Sequence, residues 1–477
     1  MSAPRSPRSA PVLLPGFVGT ELPEWLAARL RAGLGGVCLF AENIESAEQL
    51  GELTAAIRAA NPRALIAIDE EGGDVSRLHA ATGSPYPGNA VLGRLDDLGL
   101  TAAVGAAVAA ELRAVGVNLN FAPDVDINSN PDNPVIGVRS FGTDPGLVAR
   151  HTAAWIAAHE AQGVAVSAKH FPGHGDTAAD SHYALPVVDL PIDTLRAREL
   201  VPFRAAVEAG ARTVMSSHIL LPQLDATSPA TFSQRILGEL LRAPAAEGGL
   251  GFTGVVVSDA LDMAGASRDI GIPAAAVRAL AGGCDLLCIG TRNTDEQLSE
   301  IEDAIADALD SGSLAAERVA DAVARVESLA ASLEAGPTAP APEPYVSDAA
   351  LIASAFDVRT GAVVPVDARI VVLETAANVA VGEVPWGPAS VGIAVERVRE
   401  GDRLPDSDAP YLVVGKDNHR RAWTREVIDA AREAHPSTVV VDMGWPSPDR
   451  AYADIATFGA SRGVSEALRV LLEGSDS

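Results

Sequence analysis

Lysine is almost missing from this chain. Of its 36 basic residues only Lys169 and Lys416 are lysines, and 63 Asp and Glu outnumber the basic total, giving a net charge of −27. So acidic a balance excludes a nucleic-acid partner, which needs a basic footprint. It also speaks against docking on an anionic membrane surface. Aromatic residues are scarce, at 4%. Cysteine is scarcer: Cys38, Cys284 and Cys288 are an odd number in 477 residues. That excludes a disulfide framework and fits a thiol-keeping cytoplasm. No run of about 18 apolar residues occurs, so no membrane span is expected. The N-terminal stretch, broken by Pro4, Pro7, Pro11 and Pro15, lacks the apolar segment of a secretory signal.

What is present is an ordinary globular apolar content of 48%, arranged as short β-branched runs alternating with Ala/Leu/Arg helical patterns. Alternation of this kind predicts βα units around a parallel sheet. Eight strands are predicted before residue 295, at 12–15, 36–40, 64–69, 118–122, 164–169, 213–217, 254–259 and 285–290. Helices are predicted at 22–32, 47–60, 101–115, 147–162 and 195–209. Eight strands with helices between them predict a TIM (β/α)8-type barrel. A doubly wound open sheet is the alternative, but no Gly-rich dinucleotide fingerprint follows the first strand. The barrel is expected to span 1–335, followed by a Pro-rich linker at 336–347. A smaller α/β domain is expected over 348–477, with strands at 369–373, 411–414 and 438–442 and helices at 424–434 and 464–472.

Polar residues gather where the strands end, which is where barrel enzymes place their chemistry. The third strand runs into Asp69-Glu70-Glu71-Gly72-Gly73-Asp74, and the fourth into Asp124-Val125-Asp126 and a loop carrying Arg139. The fifth ends in Lys169-His170, the sixth in Ser216-Ser217-His218, and the seventh in Ser258-Asp259. The densest segment, KHFPGHGDTAADSH (169–182), holds three of the nine histidines together with Asp176 and Asp180. A lysine kept here, in a chain that otherwise uses arginine, points to a need for a compact ammonium.

Two chemistries compete for this segment. Three histidines and two aspartates are able to ligate zinc or manganese, although Phe171-Pro172-Gly173 prevents His170 and His174 from sharing a helical face. The other is an acid/base loop, in which a turn brings Asp180 against His182 and tunes its basicity for a proton shuttle. Asp259, closing a run of small residues at a strand end, suits a nucleophile or charge stabiliser. The plainer reading makes it an N-cap for the segment after it. Lys416 and His419 read as surface residues.

These residues resemble glycoside hydrolase family 3, and within it the β-N-acetylglucosaminidases. KHFPGHGDTAADSH followed by GFTGVVVSDALDM carries the likeness. GLGGVCLFAENI, AIDEEGGDVSRL, NLNFAPDVDI, NPVIGVRSFG and AGGCDLLCIG extend it over about residues 10 to 330. The resemblance implies that Asp259 is the nucleophile and His182, paired with Asp180, the general acid/base. It implies that Asp69, Arg139, Lys169 and His170 hold sugar hydroxyls, with Arg77 nearby. The implied activity is retaining, exo-acting removal of terminal β-N-acetylglucosamine, without metal or cofactor. The expected partner is a small carbohydrate, often a cell-wall fragment.

A histidine acid/base does not repel an anionic acceptor, so phosphorolysis is the nearest alternative. A metal-dependent hydrolase and a catalytically silent sugar-binding barrel are the others. Three positions depart from the family pattern: Glu70 stands for Gln, Asp74 for Arg, and Ala260 for Asp. The first two are expected to add negative charge near the barrel mouth. The second domain resembles a shortened form of the α/β sandwich that often follows such a barrel.

Overall fold

The structure, a computed structural model, describes residues 9–474. Pro4 and Pro7 of the N-terminal reading lie outside the described residues. The eight expected strands are β1 (Leu13–Pro15), β2 (Gly36–Leu39), β3 (Leu65–Ile68), β4 (Leu119–Asn120), β5 (Ala165–Phe171), β6 (Thr213–Ser216), β7 (Val255–Val257) and β8 (Leu287–Gly290). β2 to β7 form one parallel sheet in chain order, and β1 pairs in parallel with β8. A bridge between Val257 and Leu286 joins β7 to the approach of β8. Gly35 N–H donates to the Ala10 carbonyl at 3.0 Å across the seam between β1 and β2. The sheet therefore curls into a barrel.

Alternation along the strands sorts the core into two layers. Cys38, Leu65, Ala67, Leu119, Met215, Val257 and Cys288 fill the inside, and Val326, Leu329 and Ala330 of helix Ala316–Leu333 pack against that cluster. Val37, Leu39, Ile66, Ile68 and Val256 face the surrounding helices. All three cysteines are buried and free.

One expected helix is broken. The 195–209 stretch forms Ile192–Ala197 and Leu200–Glu208. Pro202 has no N–H to donate back to Arg198, so it is accommodated only in the first turn of a new helix. The 336–347 stretch has no helix or strand, and it is fastened to the barrel. Thr338 and Ala339 N–H groups donate to the Ala161 carbonyl, Gln162 donates to that of Pro340, and Tyr345 packs on Tyr86.

The second sheet holds β9 (Asp357–Val358), β10 (Arg369–Leu373), β11 (Glu396–Val398), β12 (Tyr411–Gly415), β13 (Val439–Asp442) and β14 (Ile455–Ala456). Its order is β11-β10-β12-β13-β14-β9, all parallel except the edge strand β9. Helices flank both faces: Ala422–Ala434 on one, Ala349–Ser354 and Arg462–Gly474 on the other. The second face shares its apolar cluster with Ala90 and Val91 of the barrel helix Asn89–Leu95. β9, β11 and β14 were not expected. Each has two or three residues, and Asp357, Glu396 and Arg397 leave no apolar run to read. Among the described residues no helix is long and apolar enough to cross a membrane.

Candidate active site

The ends of β3, β4 and β5 converge on one buried network. Lys169, whose side chain is 3% exposed, places its ammonium between Asp69 Oδ1 at 2.7 Å and Glu71 Oε1 at 2.8 Å. Glu71 also receives Arg139 through both carboxylate oxygens, Nη2 to Oε1 at 2.7 Å and Nε to Oε2 at 3.0 Å. Arg139 is brought there by the short 3-10 turn Gly137–Arg139 and lies 3.3 Å from Asp124 Oδ2. Burial works against both ions of the Glu71–Arg139 pair. Arg139 and Lys169 nevertheless hold the Glu71 carboxyl far below its ordinary range. Burial lowers and Asp69 and Glu71 raise the Lys169 ammonium, with a net rise. Asp69 keeps a 20% exposed side chain, which leaves its carboxylate open to accept hydrogen bonds from a ligand.

A second layer centres on Asp126. Its carboxylate accepts from His174 N–H at 2.7 Å and pairs with His170 Nδ1 at 2.7 Å. Burial raises the Asp126 carboxyl, but His170 and His174 together overcome it and the net shift is downward. Asp124, desolvated and beside Asp126, is pushed well up. His174 bridges Thr177 and Ser181 through its two ring nitrogens. Burial, with His170 nearby, lowers it to about 4. Gly175 presses the loop onto the barrel so closely that a Cβ there would collide with the Ile127 carbonyl.

His182 and Asp180 meet as the turn between them predicts. Asp180 Oδ1 accepts from His182 N–H at 2.9 Å and pairs with Nδ1 at 2.6 Å. That contact fixes the tautomer and leaves Nε2 for a reacting atom. Burial raises Asp180, the His182 contact lowers it, and the net shift is downward.

Asp259 stands at the end of β7, and its Oδ1 accepts from Ala260 N–H at 2.8 Å. It caps no helix: the next one is Ala264–Ser267, with Met263 at its N-cap. Burial raises the Asp259 carboxyl, yet the charges of His170, His218 and His182 and the Ala260 N–H overcome that and lower it. Three imidazoles, from the ends of β5 and β6 and from the loop after β5, thus act on this one carboxylate. His218 is held by Thr231 Oγ1 at 2.9 Å and the Ala260 carbonyl at 3.0 Å.

The stretch carrying these groups has known relatives. Residues 19–329 match the glycosyl hydrolase family 3 N-terminal domain. The chain belongs to glycosyl hydrolase family 3. It is 37% identical over 341 residues to beta-hexosaminidase A of Pseudoalteromonas piscicida, an alignment covering 66% of this chain and 56% of that protein. It is 40% identical over 289 residues to a beta-hexosaminidase of Stenotrophomonas maltophilia, covering 58% and 83% respectively. A solved β-N-acetylglucosaminidase from Paenibacillus sp., also of family 3, superposes with a TM-score of 0.85 at 29% identity, covering 99% of this chain and 97% of that one.

Of the two departures expected to add charge to the mouth, Glu70 does not, whereas Asp74 lines the cleft between the mouth and the second sheet. Glu70 is buried and accepts from the Arg77 and Leu78 N–H groups at 2.8 and 2.9 Å, closing its own loop. Asp74 turns to the second sheet and accepts from Ala460 N–H at 2.7 Å. Arg77 is placed apart from the network, donating to the Ala380 and Val381 carbonyls at 2.7 and 3.2 Å. Of the suspected metal ligands, only His170 falls in a group able to share an ion. Its companions are Asp124 and Asp126, not Asp176, which pairs with Arg198 at 2.6 Å, nor Asp180. Within that group Asp126 is engaged by His170 and Asp124 faces the Arg139 cation.

Glu71, Asp126 and His218 received no role from the sequence. Glu71 offered the sequence no signal that sets it apart from its neighbour Glu70; its pairing with Lys169 and Arg139 appears only in the fold. Lys416 also corrects the surface reading. It is half-buried, lines a cleft of about 1150 Å³ between barrel mouth and second sheet, and sits 4.5 Å over the Trp386 ring. His419 is half-buried as well. Arg139, Asp180 and Tyr183 lie along the same cleft.

Proposed function

We propose that the protein is an exo-acting, retaining β-N-acetylglucosaminidase with Asp259 as nucleophile and the His182–Asp180 pair as acid/base. The observation that carries this reading is geometric: Asp259 stands just past β7 and is held by the Ala260 N–H, His218 is anchored on the Ala260 carbonyl, and the His182–Asp180 pair is formed on the loop after β5. The names of the relatives support the sugar class, and a silent barrel would have no use for a charged carboxylate ringed by histidines.

In the first step Asp259 attacks the anomeric carbon while His182 Nε2 gives its proton to the leaving oxygen. In the second, neutral His182 takes a proton from water, which attacks the same carbon and frees Asp259. Asp180 holds the imidazole and offsets the charge of its protonated form. Asp69, Lys169, Arg139 and His170 are the groups we assign to the sugar hydroxyls. Arg77 is assigned instead to holding the 375–384 loop against the barrel.

We divide the chain into a catalytic barrel to residue 335, a connecting stretch 336–347, and a second domain from 348. A cytoplasmic setting, with turnover of cell-wall fragments, accords with the three free thiols. The test is a chromogenic β-N-acetylglucosaminide, assayed with and without phosphate. Free N-acetylglucosamine in both conditions supports hydrolysis; sugar 1-phosphate would favour phosphorolysis, and turnover of a β-glucoside alone would overturn the assignment.

A further inference from the structure

The loop after β4, residues 128–142, is gripped from two sides. On one side stands the second domain. Asn378, on the segment after β10, donates from Nδ2 to the Pro134 carbonyl at 2.9 Å. That segment is itself tied to the barrel by Arg77. Arg420, in the turn after β12, donates from Nη2 to the Pro131 carbonyl at 3.2 Å. Val138 packs on the apolar cluster of the second sheet. The second domain therefore fixes the loop at 131, 134 and 138.

On the other side stands the acid/base loop. Asn133 is 1% exposed and lies between the two prolines. Its Nδ2 donates to the His174 and Gly175 carbonyls at 2.8 and 3.0 Å and lies 3.3 Å from Thr177 Oγ1. Its Oδ1 accepts from the Val135 and Ile136 N–H groups at 2.9 and 2.8 Å. A carboxamide offers two N–H groups and two acceptor lone pairs, so this side chain is fully used. The hold continues towards the reacting groups. The His174 ring meets Thr177 Oγ1 at 2.8 Å and Ser181 Oγ at 3.1 Å. Ser181 stands between Asp180 and His182, and its carbonyl accepts from Gly265 N–H at 3.1 Å, on the segment that follows Asp259. Asn133, His174, Thr177 and Ser181 are all buried. Close-packed groups of this kind transmit a displacement instead of absorbing it.

We infer that Asn133 is a positioning residue through which the second domain aims His182 at the leaving oxygen. Asn378 and Arg420 fix the 131–134 stretch, and Asn133 passes that position to the loop carrying the acid/base pair. The inference rests on the glycosidase reading above and gives the second domain a part in the first chemical step.

The test uses the full chain and a series of aryl β-N-acetylglucosaminides, from nitrophenyl leaving groups that need little acid to methoxyphenyl ones that need much. The quantity followed is kcat/KM, which reports the glycosylation step. Asn133→Ala should lower it by about 10²-fold for the poorest leaving groups and about twofold for the most activated, as expected for an acid moved off its line. Asn378→Ala with Arg420→Ala should cost about tenfold on the poorest leaving groups by the same route. Added to Asn133→Ala, that pair should cost at most about twofold more, because contacts that act through one residue are not additive. Should Asn133→Ala fail to fold, the second-domain pair carries the comparison alone. A pair that lowers Tm and leaves the leaving-group dependence unchanged is merely structural, and would overturn the inference. Equal losses across the series would place Asn378 and Arg420 on the substrate and equally overturn it. A tenfold cost undiminished in the Asn133→Ala background would remove Asn133 from the route. No turnover of any member of the series by the unaltered protein would sink the glycosidase reading itself, whereas turnover with an unaltered dependence in the variants would sink only the positioning role.

Discussion

Each of the two parallel sheets carries one of the chain's two lysines at a strand C-terminus, and the two are in opposite states. Lys169 on the barrel is paired: Asp69 and Glu71 stand within 2.8 Å, leaving one of its three N–H donors for a ligand, and its ammonium is held above its ordinary range. Lys416 on the second sheet has an aromatic ring beneath it and distant carboxylates, and burial pulls it below its ordinary range. The difference teaches what pairing does for a cation at a strand end. A cation already paired by the protein positions neighbouring groups and presents Asp69 to a ligand. A cation left unpaired in a cleft keeps its binding capacity.

The comparison can be broken most forcefully at the barrel. Asp259→Ala should lower kcat on an aryl β-N-acetylglucosaminide by on the order of 10⁴-fold; a near-native rate in that assay would remove the nucleophile role. His182→Ala should slow poor leaving groups by about 10²–10⁴-fold and activated nitrophenyl leaving groups far less. Equal losses on a series of aryl substrates would contradict the acid role.

Glu71→Ala leaves Arg139 and Lys169 buried without their shared partner. Urea denaturation should show a loss of about 3–5 kcal/mol. Lys416→Met removes a charge that no partner answers, so the same measurement should change by about 1 kcal/mol or less, in either direction. Similar losses in the two variants would erase the distinction between paired and unpaired cations.

The two lysines also predict opposite alkaline behaviour. Lys169 has a folded pKa above its unfolded value, so its stabilisation is complete below about pH 10.5 and is lost as pH rises through the folded value. Lys416 has a folded pKa below its unfolded value. Between the two the unfolded chain holds the extra proton, so stability rises with pH. Denaturation curves followed upward to about pH 10.5 should therefore lose a rising component in Lys416→Met; an identical pH slope in both proteins would contradict the depressed ammonium.

Much of the barrel end was legible because strand-end position and residue type travel together in sequence. Asp180 and His182 are two residues apart, so their contact is local, and the eight strand runs announced the sheet that brings Lys169 beside Asp69. Side-chain direction was not legible. Glu70 and Glu71 are adjacent, yet one closes its own loop and the other pairs with Arg139 and Lys169, and only the path of the chain decides which. Arg77 looked like a mouth residue because its partners, Ala380 and Val381, lie some 300 positions away, and the Ala460 contact of Asp74 was hidden for the same reason. Lys416 was misread for the same reason. Its cleft exists only where the second sheet's strand reversal meets the barrel, and no local pattern records that meeting.

The measurement that bears most directly on the account is covalent trapping. An activated fluorinated β-N-acetylglucosaminide, reacting slowly through its second step, should accumulate as a glycosyl-enzyme. Peptide mass spectrometry should place the added sugar on the peptide containing Asp259, with no label in Asp259→Ala. Label on another carboxylate, or none while the sugar is still released, would contradict the assignment of Asp259 as nucleophile.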